Sequence, residues 1–210
     1  MSILPSSTSF GLEPAWEVAR VFPLQGKWSV EDYLSFTDSL TQLVEYSAGK
    51  VEVLEMPTTA HQRILLFLYK IISRFVDDRD LGEVLVAALR VQVAADVFRE
   101  PDIVFVSREH RTHVQERFWT GADLVVEIVS EDAKSRERDY VTKRADYAAA
   151  GIAEYWIVDP VEQRITVLAL QGNKYAAVGE FKPGELAASR LLDGLRIDVA
   201  ATFKAAEGAV

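Results

Sequence analysis

The chain has 210 residues, of which 49% are hydrophobic and 26% charged, and 32 acidic against 23 basic side chains leave a formal net charge of −9. That length suits one domain whose core is buried without staples. The composition excludes a disordered chain, and the absence of cysteine excludes disulfide frameworks, thiolate nucleophiles, iron–sulfur clusters and zinc ribbons. Proteins that hold nucleic acid mainly by neutralising phosphates are usually basic, so a DNA-directed role here must rest on a local basic patch or on metal ions.

No window approaches the eighteen or so apolar residues of a membrane span, which reads as a soluble protein. Residues 1–26 lack a basic start followed by an apolar run, so they are expected to be a loosely ordered arm and the protein to be cytoplasmic. One domain is expected over 27–205, with 206–210 as a tail. Ser29, followed by Glu31 and Asp32, predicts a capped helix running to about Leu43. Alternation from Glu45 to Leu54, broken by Ser47-Ala48-Gly49-Lys50, predicts a hairpin. Gly49-Lys50 lacks the glycines and hydroxyl of a phosphate-binding loop and reads as a turn.

Thr58 or Thr59 can cap a long helix over His61–Val76, with Ile64, Leu65, Leu68, Ile71, Ile72 and Phe75 at helical spacing. His61 itself reads as a helix-start residue packing or bonding locally and not as a catalytic base. The β-branched runs Glu83–Leu89, Val91–Val93, Ile103–Val106 and Leu124–Val129 predict buried strands. His110 and His113 lie among charged residues and read as a solvated loop. Arg138–Ala150 predicts a helix closed by Gly151. Glu154–Val158, Arg164–Leu170, Lys174–Phe181 and Leu195–Val199 predict further strands, the last three antiparallel. The fold class is α/β (α+β), with helices covering a mixed central sheet and antiparallel strands at the C-terminal end.

Two acids stand on apolar strands: Asp102, after Pro101 and before Ile103–Val106, and Glu127, within Leu124–Val129. Unpaired at about 4 Å, such carboxylates repel by roughly 1–4 kcal/mol and also suffer desolvation. A divalent cation removes both penalties. Magnesium commonly uses only one or two carboxylates, so Asp102 and Glu127 suffice as its protein anchors. Taken singly, each acid is better read as structural, Asp102 capping a strand and Glu127 pairing with an arginine. Asp139, Lys143 and Tyr147 recur every four residues and share a helix face, which an exposed ion pair would also explain.

Glu45…Gly49, His61-Gln62, Pro101-Asp102, the run Asp123–Ser130, Asp139…Lys143…Tyr147…Gly151 and the run Glu154–Pro160 together resemble the bacterial Uma2 family of restriction-endonuclease-like proteins, over roughly Lys27 to Phe203. The resemblance implies the core of the Pro-Asp…(Asp/Glu)-x-Lys nuclease superfamily, a mixed sheet flanked by helices, and magnesium-dependent cleavage of phosphodiesters, with manganese as a substitute. The superfamily lysine normally follows the acid by two residues, where this chain has Val129; in this family the matching position is Lys143, on the next helix. Ala122 and Lys50 are smaller departures, where proline and an acid are usual. By this resemblance Asp102, Glu127 and Lys143 are catalytic, and Asp102 and Glu127, joined by the Ile128 carbonyl, hold the metal. Glu45 could add a third carboxylate, and Asp139 and Tyr147 support Lys143.

The expected function is therefore a magnesium-dependent DNA endonuclease, acting as a homodimer built on the apolar C-terminal strands. Lys134, Arg136, Arg138, Lys143 and Arg144 are the best local basic surface for DNA, although acids interleave with them. The alternatives are a non-catalytic binding or assembly module that retains the fold, and a hydrolase of a smaller phosphate.

Overall fold

The structure, a computed structural model, describes residues 22–208. Most of the expected N-terminal arm lies outside the described residues. Helix α1 (Val30–Thr37) opens on a capping box in which Ser29 and Asp32 satisfy one another's backbone amides. It stops six residues short of Leu43. Thr37 Oγ1 donates back to the Tyr33 carbonyl at 2.8 Å, and Asp38 and Ser39 follow, residues that compete with helical backbone bonding. Strands β1 (Val44–Ser47) and β2 (Lys50–Val53) then form the expected hairpin. Its two turn residues, Ala48 and Gly49, have φ of 46° and 80°, the left-handed pair that matches a hairpin's twist.

Helix α2 (Thr59–Asp77) is capped by the Thr58 side chain and buries Ile64, Leu65, Leu68, Ile72 and Val76, while Ile71 and Phe75 pack at the margin. Each such buried aliphatic side chain contributes about 1.5–3 kcal/mol. Strands β3 (Gly82–Val86), β4 (Val91–Ala94), β5 (Val97–Arg99), β6 (Ile103–Ser107), β7 (Leu124–Ile128), β8 (Glu154–Asp159), β9 (Arg164–Gln171), β10 (Lys174–Phe181), β11 (Leu186–Ala188) and β12 (Arg196–Asp198) follow, with α5 (Val199–Lys204) near the end. The central sheet has six strands in the order β10-β9-β8-β7-β6-β3, and β1, β2, β4 and β5 make a second sheet. β5 and β11 escape sequence periodicity because each is only three residues long.

Among the strand pairs of the central sheet, β7 with β8 alone is parallel, so the chain must cross over between them. That crossover is helical: α3 (Ala133–Glu137), a π-helical turn (Arg138–Thr142) and α4 (Lys143–Ala149). The helix starts five residues before the expected Arg138, because Asp132 caps it by accepting from the Ser135 amide. Gly151, with φ of 79°, closes it as expected.

Strand alternation splits the core in two. Leu124, Val126 and Ile128 face α2, together with Ile103 and Phe105. Val125 and Val129 face the opposite side, together with Val104, Val106 and Tyr147. Period two therefore turns Glu127 toward the crossover helix.

Candidate active site

The register of β6 against β7 brings the two strand acids together. Ile103 pairs with Val126 in the antiparallel ladder, so one step further Asp102 stands opposite Glu127. Asp102 Oδ2 accepts from the Ile128 amide at 2.7 Å. Both carboxylates line one cleft of about 240 Å³, bordered also by His61, Glu100, Ser130, Arg138, Asp139 and Lys143.

Lys143 enters from the crossover helix. Its ammonium lies 2.8 Å from Glu127 Oε1, 2.9 Å from Glu45 Oε1 and 3.6 Å from Asp139 Oδ1, and the residue is 1% exposed. Tyr147 donates to the same Glu127 oxygen at 2.5 Å. The π turn has a role in this convergence: the Lys143 amide reaches back to the Arg138 carbonyl, adding a residue to the turn between Asp139 and Lys143. Val129, at the customary lysine position, is 2% exposed and packs in the core beneath α4. An amine delivered from above that face reaches Glu127 without displacing the valine.

Glu45 is fully engaged. Its other oxygen meets Arg99 at 2.9 Å, and Arg99 in turn holds Asp146 at 2.6 Å. Burial alone would raise the Glu45 carboxyl, but Lys143 and Arg99 outweigh it and hold the group below its ordinary range. Burial likewise opposes charge on Lys143, yet Glu127, Glu45 and Asp139 keep the ammonium above its usual range. Glu127 fares differently: burial, against the pull of Lys143 and with the push of Asp139, Asp102 and Glu45, lifts its carboxyl to about 8. Burial also raises Asp139, whose Oδ1 has no hydrogen-bond partner. In this pocket acids outnumber cations, and its donors are hard oxygens. That set fits a magnesium- or manganese-like ion held by two carboxylates and the main chain. Among the described residues no three acidic or histidine side chains converge closely enough to hold a metal by themselves.

All six sequence-predicted residues, Asp102, Glu127, Lys143, Glu45, Asp139 and Tyr147, thus meet in one neighbourhood. Sequence reasoning missed four others. Arg99 and Asp146 extend the ion network, and Glu100, raised to about 7 by burial and then by Glu45, lines the cleft. The His61 amide bonds locally to the Thr58 side chain as expected, but its ring does not: Nε2 lies 3.2 Å from Asp102 Oδ1, across 41 positions of sequence. The available signal was its place in the first turn after the Thr58 cap, which points it beyond the helix end. Arg99, basic within an apolar run, was a signal of the same kind.

The expected basic surface is mostly paired. Lys143 is buried, Lys134 and Arg138 share Glu52, Arg136 is bound to Asp159 at 2.7 Å, and Arg144 donates to the Tyr175 carbonyl. The segment carrying His110 and His113 is largely exposed, as expected, and each ring has a partner of its own. His110 contacts Asp123 at 2.6 Å and His113 contacts Thr120 at 3.1 Å, so their rings serve separate partners and not one ion. No described helix is long and apolar enough to cross a membrane.

No match was found among curated proteins. Of solved structures, a "putative nuclease belonging to DUF820" from Anabaena variabilis superposes with a TM-score of 0.69 at 20% identity, covering 88% of this chain and 99% of that one, which establishes the shared fold. The family model described as "Uma2: Putative restriction endonuclease" matches residues 30–200. The chain belongs to the Uma2 family of nuclease-fold proteins.

Proposed function

We propose that this protein is a magnesium-dependent endonuclease that hydrolyses DNA phosphodiesters, with Asp102 and Glu127, aided by the Ile128 carbonyl, as the anchors of the ion. The observation that carries the reading is the convergence of these two carboxylates, opposite one another where β6 begins and β7 ends, with a buried ammonium against one of them. Family membership supports a nuclease function. When bound, the ion would acidify a water and stabilise charge on the phosphorus centre.

The chain's own residues do the rest. Lys143, kept charged by three carboxylates, orients the water or offsets negative charge developing on the phosphate. Glu45 and Asp139 fix the ammonium, and Tyr147 fixes the Glu127 oxygen that the ammonium also holds, so the lysine and the acid move as a unit. The net charge is −9, and Lys134, Arg136 and Arg138, on the crossover helix beside the cleft, are paired with Glu52 and Asp159. A metal in the cleft would supply the positive charge that these paired bases do not. Pairing of two copies, with the exposed edge strand β10 at the interface, would deliver two cuts to a duplex. Light scattering reads the copy number, and a mass of one chain would exclude the pair.

The test is cleavage of plasmid and linear DNA with magnesium or manganese. Wild type should cut and lose activity with chelator, and Asp102→Ala, Glu127→Ala and Lys143→Ala should not cut. Metal-dependent cutting unchanged in all three would refute the assignment, and metal-independent inertness of a folded wild type on every nucleic acid tried would favour a binding module.

A further inference from the structure

We infer that His61 is a positioning residue for the metal ligand Asp102, holding its carboxylate in the orientation that an ion requires. The inference deepens the proposed function and rests on it. Three observations carry it. First, the Asp102 carboxylate is gripped at both oxygens: Oδ2 accepts from the Ile128 amide at 2.7 Å, and Oδ1 lies 3.2 Å from His61 Nε2. The amide fixes one end of the carboxylate, and without the imidazole the group could still turn about its own axis. Second, the imidazole is held in place: His61 and Asp102 side chains are each only 14% exposed, and the His61 amide is tied to the Thr58 side chain at 3.1 Å. Third, the other ring nitrogen, Nδ1, is buried with no hydrogen-bond partner, so the ring's polar interactions are made on the side that faces Asp102 and the Ile128 main chain.

A buried imidazole that leaves one nitrogen unsatisfied costs free energy, which its other contacts must offset. Outer partners that donate to a ligand carboxylate fix its direction, and their loss typically weakens metal affinity by about 10–100-fold. The helix makes the arrangement rigid, since α2 is anchored along its length by five buried apolar side chains. The site thus has a supporting group on each face of the sheet: Tyr147 and Lys143 from the crossover side for Glu127, and His61 from the α2 side for Asp102.

The test is manganese affinity of the intact protein, measured by calorimetry or by the spin-resonance signal of free Mn²⁺, for wild type, His61→Ala, His61→Gln and Asp102→Ala. A glutamine places an amide nitrogen close to the position of Nε2. The expected result is saturable binding in wild type, loss in Asp102→Ala, weakening by about 10-fold or more in His61→Ala, and recovery of most of it in His61→Gln. Binding by His61→Ala as tight as wild type, with Asp102→Ala inert, overturns the role of His61 while leaving the metal site standing. A glutamine variant as weak as the alanine one also overturns it. No saturable binding in wild type removes both. A second readout needs no variant: with only three histidines in the chain, two-bond nitrogen–proton correlation spectra assign the His61 tautomer. A proton on Nε2 is expected, and a neutral ring protonated on Nδ1 overturns the inference.

Discussion

Two buried glutamates stand at opposite ends of the parallel pair β7 and β8, and they live in opposite circumstances. Glu154, 1% exposed at the start of β8, accepts from the Trp156 indole, the Ser189 hydroxyl and the Arg190 and Leu191 amides, all within 2.6–2.9 Å. Both its oxygens are satisfied by neutral donors, and the effect is to pin the loop after β11 to the sheet. Glu127, 4% exposed near the end of β7, has one oxygen doubly engaged, and it sits among other acids that help lift its carboxyl to about 8. Burial alone therefore does not mark a functional acid. A buried carboxylate whose neighbours push its titration upward is the better functional candidate, since perturbed acids cluster at functional sites.

Substitutions should separate these roles. The largest effect is expected at Glu127: replacement by glutamine should reduce metal-dependent cleavage by at least about 10²-fold, since even outer groups of a metal site act on that scale. Its melting temperature should stay near wild type, because the variant removes a carboxyl already disfavoured by its neighbours. Unchanged cleavage would erase the distinction from Glu154. Next is Lys143→Met, which leaves Glu45, Glu127 and Asp139 around an uncharged side chain; urea unfolding should show a loss of about 3–5 kcal/mol.

Glu154→Ala should do the reverse of Glu127→Gln. It orphans four donors and loosens the C-terminal loop, lowering stability by about 2–3 kcal/mol, while folded molecules keep their cleavage rate. A kinetic defect in that variant with no stability loss would break the comparison.

The smallest effect concerns pH. Glu45 has its carboxyl below the ordinary 4.5, since Lys143 and Arg99 overcome the opposing effect of burial. In the native state it therefore holds its proton less tightly than when unfolded, so its contribution to stability is complete above about 4.5 and is lost as pH falls through the lower native value. Unfolding at successive acid pH values should show wild type weakening more steeply than Glu45→Gln; parallel curves would contradict the pairing.

Most strand identities were legible in the sequence because they follow from short-range rules, whereas the convergence of the two acids was expected from the family resemblance. Apolar runs separated by Gly, Pro and Asn-containing turns mark strands, period two assigns faces, and Asp102 and Glu127 each stand in such a run. The helix face Asp139, Lys143, Tyr147 was equally visible as a four-residue repeat. What was hidden depends on tertiary placement. Arg99 lies on a three-residue strand with no measurable period, and its partners Glu45 and Asp146 are remote in sequence. His61 looked like an ordinary first-turn residue because its target, Asp102, comes from a strand edge that sequence does not align with α2. The pairing of the surface bases was also unreadable, since Glu52 and Asp159 reach Lys134, Arg138 and Arg136 only across element boundaries.

The account stands or falls on whether Asp102 and Glu127 share one cation. A crystal soaked in manganese, read by its anomalous signal, tests this directly. The account predicts one ion bridging those two carboxylates, with the Lys143 amine in the adjoining layer. An ion bound elsewhere at saturating manganese, or a cleft that stays without one, would contradict it.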